Sequence, residues 1–217
     1  MSEERTNKNT TNETTNKNTK PTNADLNEVL IQGRIVHRYA AEKATILTVS
    51  TGRATIAQNH PKVVFFGEIK DEAAKYDVGS FVKITGNIQS SKRNPSIKNQ
   101  STLSVFGESI GPATTQFEED HGIPGSYAPA INHFKLAGTI TSIDIPTKNI
   151  VRLTVKCIKN GRPSFVTLIF FSQEPAKVVA AHLPGSFIRA SGCVQTSKST
   201  KGGETSHYQS YVASELM

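Results

Sequence analysis

From residue 27 onward, apolar and polar side chains alternate in short runs. NEVLIQGRIV starts at Asn27, followed by TILTVST (45–51), KVVFFGE (62–68), GSFVKITGNIQSSK from Gly79 and TLSVFGES (102–109). Runs of period two rich in Val, Ile, Thr and Phe predict strands, because successive Cβ atoms point to opposite faces of a sheet. EIKDEAAKY (68–76) breaks that period and predicts a short helix. The whole series then returns as NHFKLAGTIT from Asn132, RLTVKC (152–157), TLIFFSQE (167–174), a helical QEPAKVVAAH (173–182), GSFIRASGCVQTSK from Gly185 and SYVASEL (210–216). Gly33 and Gly138 lie 105 positions apart, Gly79 and Gly185 106. A near-constant offset over a whole segment signals duplication.

Three strands, a short helix and two more strands in each half are the layout of an OB-fold, a partly open Greek-key barrel. The expectation is an all-β chain with a short helix per copy: two tandem OB-folds, each a five-stranded Greek-key barrel, over residues 27–110 and 132–217. Gly33, Gly86, Gly138 and Gly192 fall inside first and fourth strands, where a small barrel needs kinks or bulges that a side chain would obstruct. A duplicated β-sandwich satisfies the same alternation and stays open. Residues 1–26 are nearly all Thr, Asn, Lys and Glu and are expected to form a disordered polar tail. Residues 111–131, with three Pro, three Gly and an FEED cluster, are expected to be a linker.

Charge narrows the partner. The chain of 217 residues carries a formal +7 at pH 7. Residues 27–110 hold eleven Lys/Arg against seven Asp/Glu, and residues 132–217 ten against four. Both predicted barrels are therefore basic, which favours a polyanion, whether nucleic acid or an anionic membrane surface. Cys157 and Cys193 both sit in apolar runs and read as reduced, buried thiols. With no apolar run of membrane-spanning or signal-core length, a cytoplasmic location is expected.

The six histidines (His37, His60, His121, His133, His182 and His207) are scattered without metal-ligand spacing, and no phosphate loop or nucleophile elbow occurs. No catalysis, metal or cofactor is expected; binding fits better. In the third strand, Val63 and Phe65 share one face and Lys62, Val64 and Phe66 the other; in the second copy Leu168 and Phe170 oppose Phe165, Thr167, Ile169 and Phe171. The face that carries Lys or Thr beside its aromatics is expected to look outward. Phe66 and Phe171 as core residues remain the alternative, since company alone chooses the face. In the second strands Leu47, Val49, Val151, Leu153 and Val155 point inward, leaving Thr48, Ser50, Arg152, Thr154 and Lys156 outward. Arg34 and Lys135 stand on the outer face of the first strands, opposite Val29/Ile31 and Phe134/Leu136. HRYAAEK (37–43), SSKRNPSIKNQS (90–101) and TSKSTKGGETSHY (196–208) read as loops flanking a groove, with Arg38, Lys43, Lys92, Arg93, Lys98, Lys198 and Lys201 placed to track phosphates and Tyr39 to stack. Each of those cations also reads as a solvated loop charge. Aromatic rings on a basic sheet are what a single strand requires, because every base offers a π-face and its backbone needs cations.

VVFFGE, the helical EIKDEAAKY and VGSFVKITGNIQ together resemble the third strand, helix and fourth strand of bacterial-type single-stranded DNA-binding proteins, whose pattern is VV-x-FG-x, a short helix, then KG-x-x-V-x-V-x-G. NEVLIQGRI resembles that family's opening strand. The likeness covers most of residues 27–110, and the second copy follows through duplication, with Ser172 where Gly67 stands. It implies an OB-fold, sequence-independent binding and protection of single-stranded DNA in replication, recombination or transfer, no catalysis, and an assembly of about four barrels, here a homodimer. It makes Phe66 and Phe171 stacking positions and places His60 and Phe165 where the family usually has a stacking Trp. This chain has no Trp. It also ends ASELM after its last strand, without the acidic, Phe-tipped tail that recruits replication or recombination proteins, leaving FEED or the N-terminal tail as candidate routes. A phage or mobile-element origin would account for the duplicated architecture and the missing tail. A protein-interaction module without nucleic-acid binding, and a binder of RNA or duplex DNA, are the competing readings.

Overall fold

The computed structural model describes residues 24–51, 59–92, 101–113, 118–119, 127–128, 130–201 and 204–217. The alternating runs form strands β1 (Leu26–Ala40), β2 (Thr45–Ser50), β3 (Lys62–Phe65), β4 (Phe81–Lys92) and β5 (Ser101–Pro112), with helix α1 (Glu68–Ala74) between β3 and β4. A two-residue pair, β6 (Glu118–Glu119) with β7 (Tyr127–Ala128), follows. The second half repeats the series as β8 (Ile131–Thr147), β9 (Ile150–Lys159), β10 (Arg162–Phe171), α2 (Pro175–Ala181), β11 (Phe187–Lys201) and β12 (Glu204–Leu216). The fold is all-β and OB-like, with two short helices.

Each set of five strands closes on itself. β1 pairs antiparallel with both β2 and β4, β2 with β3 and β4 with β5, and a parallel β3–β5 pairing completes the ring. β8 through β12 make the same pairings, with β10–β12 as the parallel pair. Antiparallel neighbours can follow directly along the chain, whereas the parallel pair needs a crossover, and α1 or α2 with the next strand supplies it. The inward set is the apolar one: Val29, Ile31, Leu47, Val49, Val63, Phe65, Val82, Ile84 and Val105 in the first ring; Phe134, Leu136, Val151, Leu153, Val155, Val166, Leu168, Ile188 and Tyr211 in the second. Close strand approach explains the repeated glycines. A Cβ on Gly33 would collide with the Ser50 carbonyl oxygen, and one on Gly138 with that of Lys156; Gly86 and Gly192 face the carbonyls of Phe106 and Val212 in the same way. Register shifts recur at matching places, Ile35/His37 with Ile140/Ser142 and Thr85/Gly86 with Ser191/Gly192.

The rings join through an antiparallel pairing of β1 with β8 in which Val29 lies opposite Phe134, the residue 105 positions on. Contacts are exchanged about that point. The Asn27 side chain donates through Nδ2 to the Ile88 carbonyl (2.7 Å) and to Cys157 Sγ (3.3 Å), and its Oδ1 accepts from the Ile88 amide (2.8 Å). Asn132 does the same to Val194 (2.7 and 2.9 Å) and reaches Thr51 Oγ1 at 3.2 Å.

Several expectations change. HRYAAEK is not a loop as far as Ala40, since Arg38 and Tyr39 lie in β1 opposite Leu47 and Ile46. TSKSTKGGETSHY is mostly a hairpin, because β11 and β12 go on satisfying each other's backbone groups from Thr196/Gln209 out to Lys201/Glu204. Ser50 is buried rather than outward, where β1 passes from its pairing with β8 to its pairing with β2. Cys157 is fully buried, and burial pushes its thiol up to about 11, but Cys193 is only half-buried. Part of the linker is paired as β6–β7. The N-terminal tail lies outside the described residues up to residue 23.

Candidate nucleic-acid interface

The outward faces of β1–β2–β3–β5 and β8–β9–β10–β12 are built by strand register. In the first ring one row across four strands reads Tyr39, Ile46, Val64, Phe106, and the next reads His37, Thr48, Lys62. In the second ring the rows are Asp144, Arg152, Ile169, Val212; Ser142, Thr154, Thr167; and Thr139, Lys156, Phe165. In the third strands alternation and burial agree at the phenylalanines. Phe65 is fully buried, whereas its neighbour Phe66 is 45% exposed; Phe165 is 45% and Phe171 58% exposed. Phe66 lies over Phe106 with ring centroids 5.3 Å apart and planes 28° from parallel. Such a pair presents a ring face to solvent while its underside is held by packing.

The cations divide into those on these faces and those engaged elsewhere. Lys62 and Lys156 are exposed beside the aromatic rows, and Lys43 is exposed in the short β1–β2 connection. Arg152 is on the second face but is bound to Asp144, Nε to Oδ1 at 3.0 Å and Nη2 to Oδ2 at 2.6 Å. Arg38 is drawn away from the groove: its guanidinium donates to the carbonyls of Ala74 (2.7 Å) and Tyr76 (3.4 Å) and pairs with Asp77 at 3.1 Å. It closes the end of α1, whose last carbonyls need donors. Arg34 is half-buried where β1 passes between Ser50 of β2 and Phe81 of β4. Lys135 is exposed on the outside of β8, but between Glu28 and Ser191, where it lines a cavity of about 540 Å³ with Glu28, Glu108 and Lys159. That cavity lies where the rings meet, not on the β9–β10 face. Arg93 and Lys98 lie outside the described residues, as do the side chains of Lys92, Lys198 and Lys201, whose backbones belong to β4 and β11.

Each face also borrows from the other ring. The amide of His60, a half-buried residue, donates to Thr196 Oγ1 (3.0 Å) and that of Lys62 to Gln209 Oε1 (2.9 Å), so the β11–β12 hairpin leans on the start of β3. Reciprocally, the Phe165 amide donates to Ser90 Oγ at 3.4 Å, placing β4 against β10. Phe106 and Tyr208 are aromatic residues that the sequence reading passed over. Phe106 alternates with the buried Val105, a signal sufficient to turn it outward; Tyr208 is 55% exposed on the hairpin, opposite Ser197. Among the described residues no three His, Cys, Asp or Glu side chains cluster so as to hold a metal ion, and no helix is long and apolar enough to cross a membrane.

No protein-family model matches the sequence, and no curated protein matches it either. Solved structures do. The wild-type single-stranded DNA-binding protein from Thermus aquaticus superposes with a TM-score of 0.64 at 15% identity, over 89% of this chain and 93% of that one. A deletion mutant of the same Thermus protein, delta 228-252 R190A, gives 0.59 at 14% identity over 89% and 94%. At such identities the likeness shows the fold alone, and it extends over both rings of strands.

Proposed function

We propose that this chain binds single-stranded DNA without reading its sequence, through two OB-folds that arose by duplication. One fold covers residues 27–110, continued by β5 to Pro112, and the other covers residues 132–217, with residues 111–131 between them. The observation that carries the reading is the exposed Phe66 ring seated on Phe106, whose row across the sheet also holds Tyr39 and lies next to the row of Lys62, on the outward sheet of a closed OB-like ring. On the second ring Phe171 is exposed at the place that matches Phe66, and Phe165 is exposed opposite Lys156. Rings supply stacking that any base can use, and the ammonium groups meet the phosphates between them. The proteins from Thermus aquaticus that share the fold are named for binding single-stranded DNA. Coating and protection of DNA in replication, recombination or transfer, partners drawn from those processes, a homodimer that gathers four folds, and carriage on a phage or mobile element belong to the same proposal; the duplicated architecture is what supports them.

The test is a titration of the full chain against fluorescent poly-dT, duplex DNA and RNA of equal length over a salt series. The expected result is preference for poly-dT, with log K falling against log salt by about 0.7 for each phosphate contacted. Affinity that does not change with salt, or no binding to any of the three, overturns the proposal, and the latter result favours a protein-docking role.

A further inference from the structure

The two outward faces differ at several matching positions, Lys62 against Thr167 and Phe106 against Val212 among them, and one difference changes the charge chemistry of the face. Where the first ring has Tyr39 beside Ile46, the second has Asp144 beside Arg152. The fork of the Arg152 guanidinium meets both carboxylate oxygens of Asp144, at 3.0 and 2.6 Å. Neither partner is enclosed: the side chains are 52% and 49% exposed, on the open face next to Ile169. A guanidinium binds a phosphate with the same planar fork that it offers a carboxylate.

We infer that Asp144 stands in for a phosphate on Arg152 in the unliganded protein, so that the second face gains its arginine contact only when DNA displaces that carboxylate. This rests on the single-stranded DNA reading above and adds to it a residue that sets affinity. The guanidinium also holds the Asp144 carboxyl below its usual range, as the hydrogen bond between them requires. An exposed pair of this kind contributes little to stability, which lets it exchange partners and lets it be removed without unfolding the ring. The first face has no such competitor at the matching position, where an aromatic ring and an aliphatic side chain serve the bases instead. The two faces therefore respond differently to salt: the first is carried more by stacking, the second by an arginine whose charge is masked until the strand arrives.

The experiment is an anisotropy titration of a fluorescein-labelled dT oligonucleotide with the full chain and its Asp144→Asn, Arg152→Gln and doubly substituted forms, at low and fourfold higher salt. Asp144→Asn is expected to bind at least about threefold more tightly at low salt, because the Arg152 fork no longer has to leave a carboxylate before it meets a phosphate, and the slope of log K against log salt is expected to keep its value because both complexes contain the same phosphate contacts. In the Arg152→Gln background the same substitution is expected to change little. Equal binding by the chain and by Asp144→Asn overturns the inference while leaving the single-stranded DNA reading intact. A gain that is just as large without Arg152 overturns it too, because that is the effect of deleting any negative charge. Absence of binding by every form removes the DNA reading and this inference together.

Discussion

Phe65 and Phe66 are adjacent in sequence and opposite in fate. One pleat of backbone separates a ring that fills the core from a ring that rests on Phe106 and faces solvent. Substitution should separate the two roles. Phe65→Ala is expected to destabilise the protein by about 3–5 kcal/mol, the cost of emptying a buried aromatic site, seen as a lower midpoint in denaturant unfolding. Phe66→Ala is expected to leave that midpoint nearly unchanged and to weaken poly-dT binding by about 1–3 kcal/mol, the value of one stacked base. A variant that unfolds early and binds normally once folded would assign Phe66 to packing. At this scale the sequence was most legible, since Val63, Phe65, Leu47 and Val49 were placed inward by alternation and are buried. Arg38 was not legible in the same way: that it reaches the carbonyls at the end of α1 depends on where a helix more than thirty residues later comes to rest.

Strand ends were harder to read than strand faces. A run of Ser, Thr, Lys and Gly such as residues 196–203 has turn-like composition, yet β11 and β12 continue through most of it because each is the other's hydrogen-bonding partner. The asparagines that open each copy show the same limit. Asn27 and Asn132 were visible as matching letters, but their task, bridging the first strand to the fourth and on to the other ring, appears only when Ile88 and Cys157, or Val194 and Thr51, are brought beside them. Asn27 is almost wholly buried, and its carboxamide satisfies both the amide and the carbonyl of Ile88. Asn27→Ala is expected to cost about 1–3 kcal/mol, the penalty for leaving buried polar groups unpaired, as measured by chemical denaturation. A loss well under that range would mean that water reaches the Ile88 backbone.

At the scale of the whole molecule, the β1–β8 pairing makes one sheet of ten strands from two closed rings. Its register is self-complementary. Leu26 faces Ala137, the counterpart of Gln32, while Gln32 faces Ile131, the counterpart of Leu26, and Val29 faces its own counterpart Phe134. A strand that pairs with a strand of like sequence in this way can pair with a second copy of itself, and an exposed edge invites it. A fragment ending at Ala113 is therefore expected to sediment as a dimer held through β1. Sedimentation of the fragment as a monomer would show that the pairing needs contacts present only in the natural chain, such as those of the two asparagines.

Local periodicity and composition by themselves determined that this chain is two rounds of short amphipathic strands with a helix after the third, and where glycine must stand. Those features follow from the two-residue repeat of an extended backbone and from steric demands that each short segment states for itself. Only the tertiary structure decided how far the strands run, that Arg38 turns to α1 while Arg152 is held by Asp144, and that each ring's hairpin supports the other's face. These are contacts between residues tens to more than a hundred positions apart, selected by ring closure and by the meeting of the two halves, and no period within a single strand encodes them.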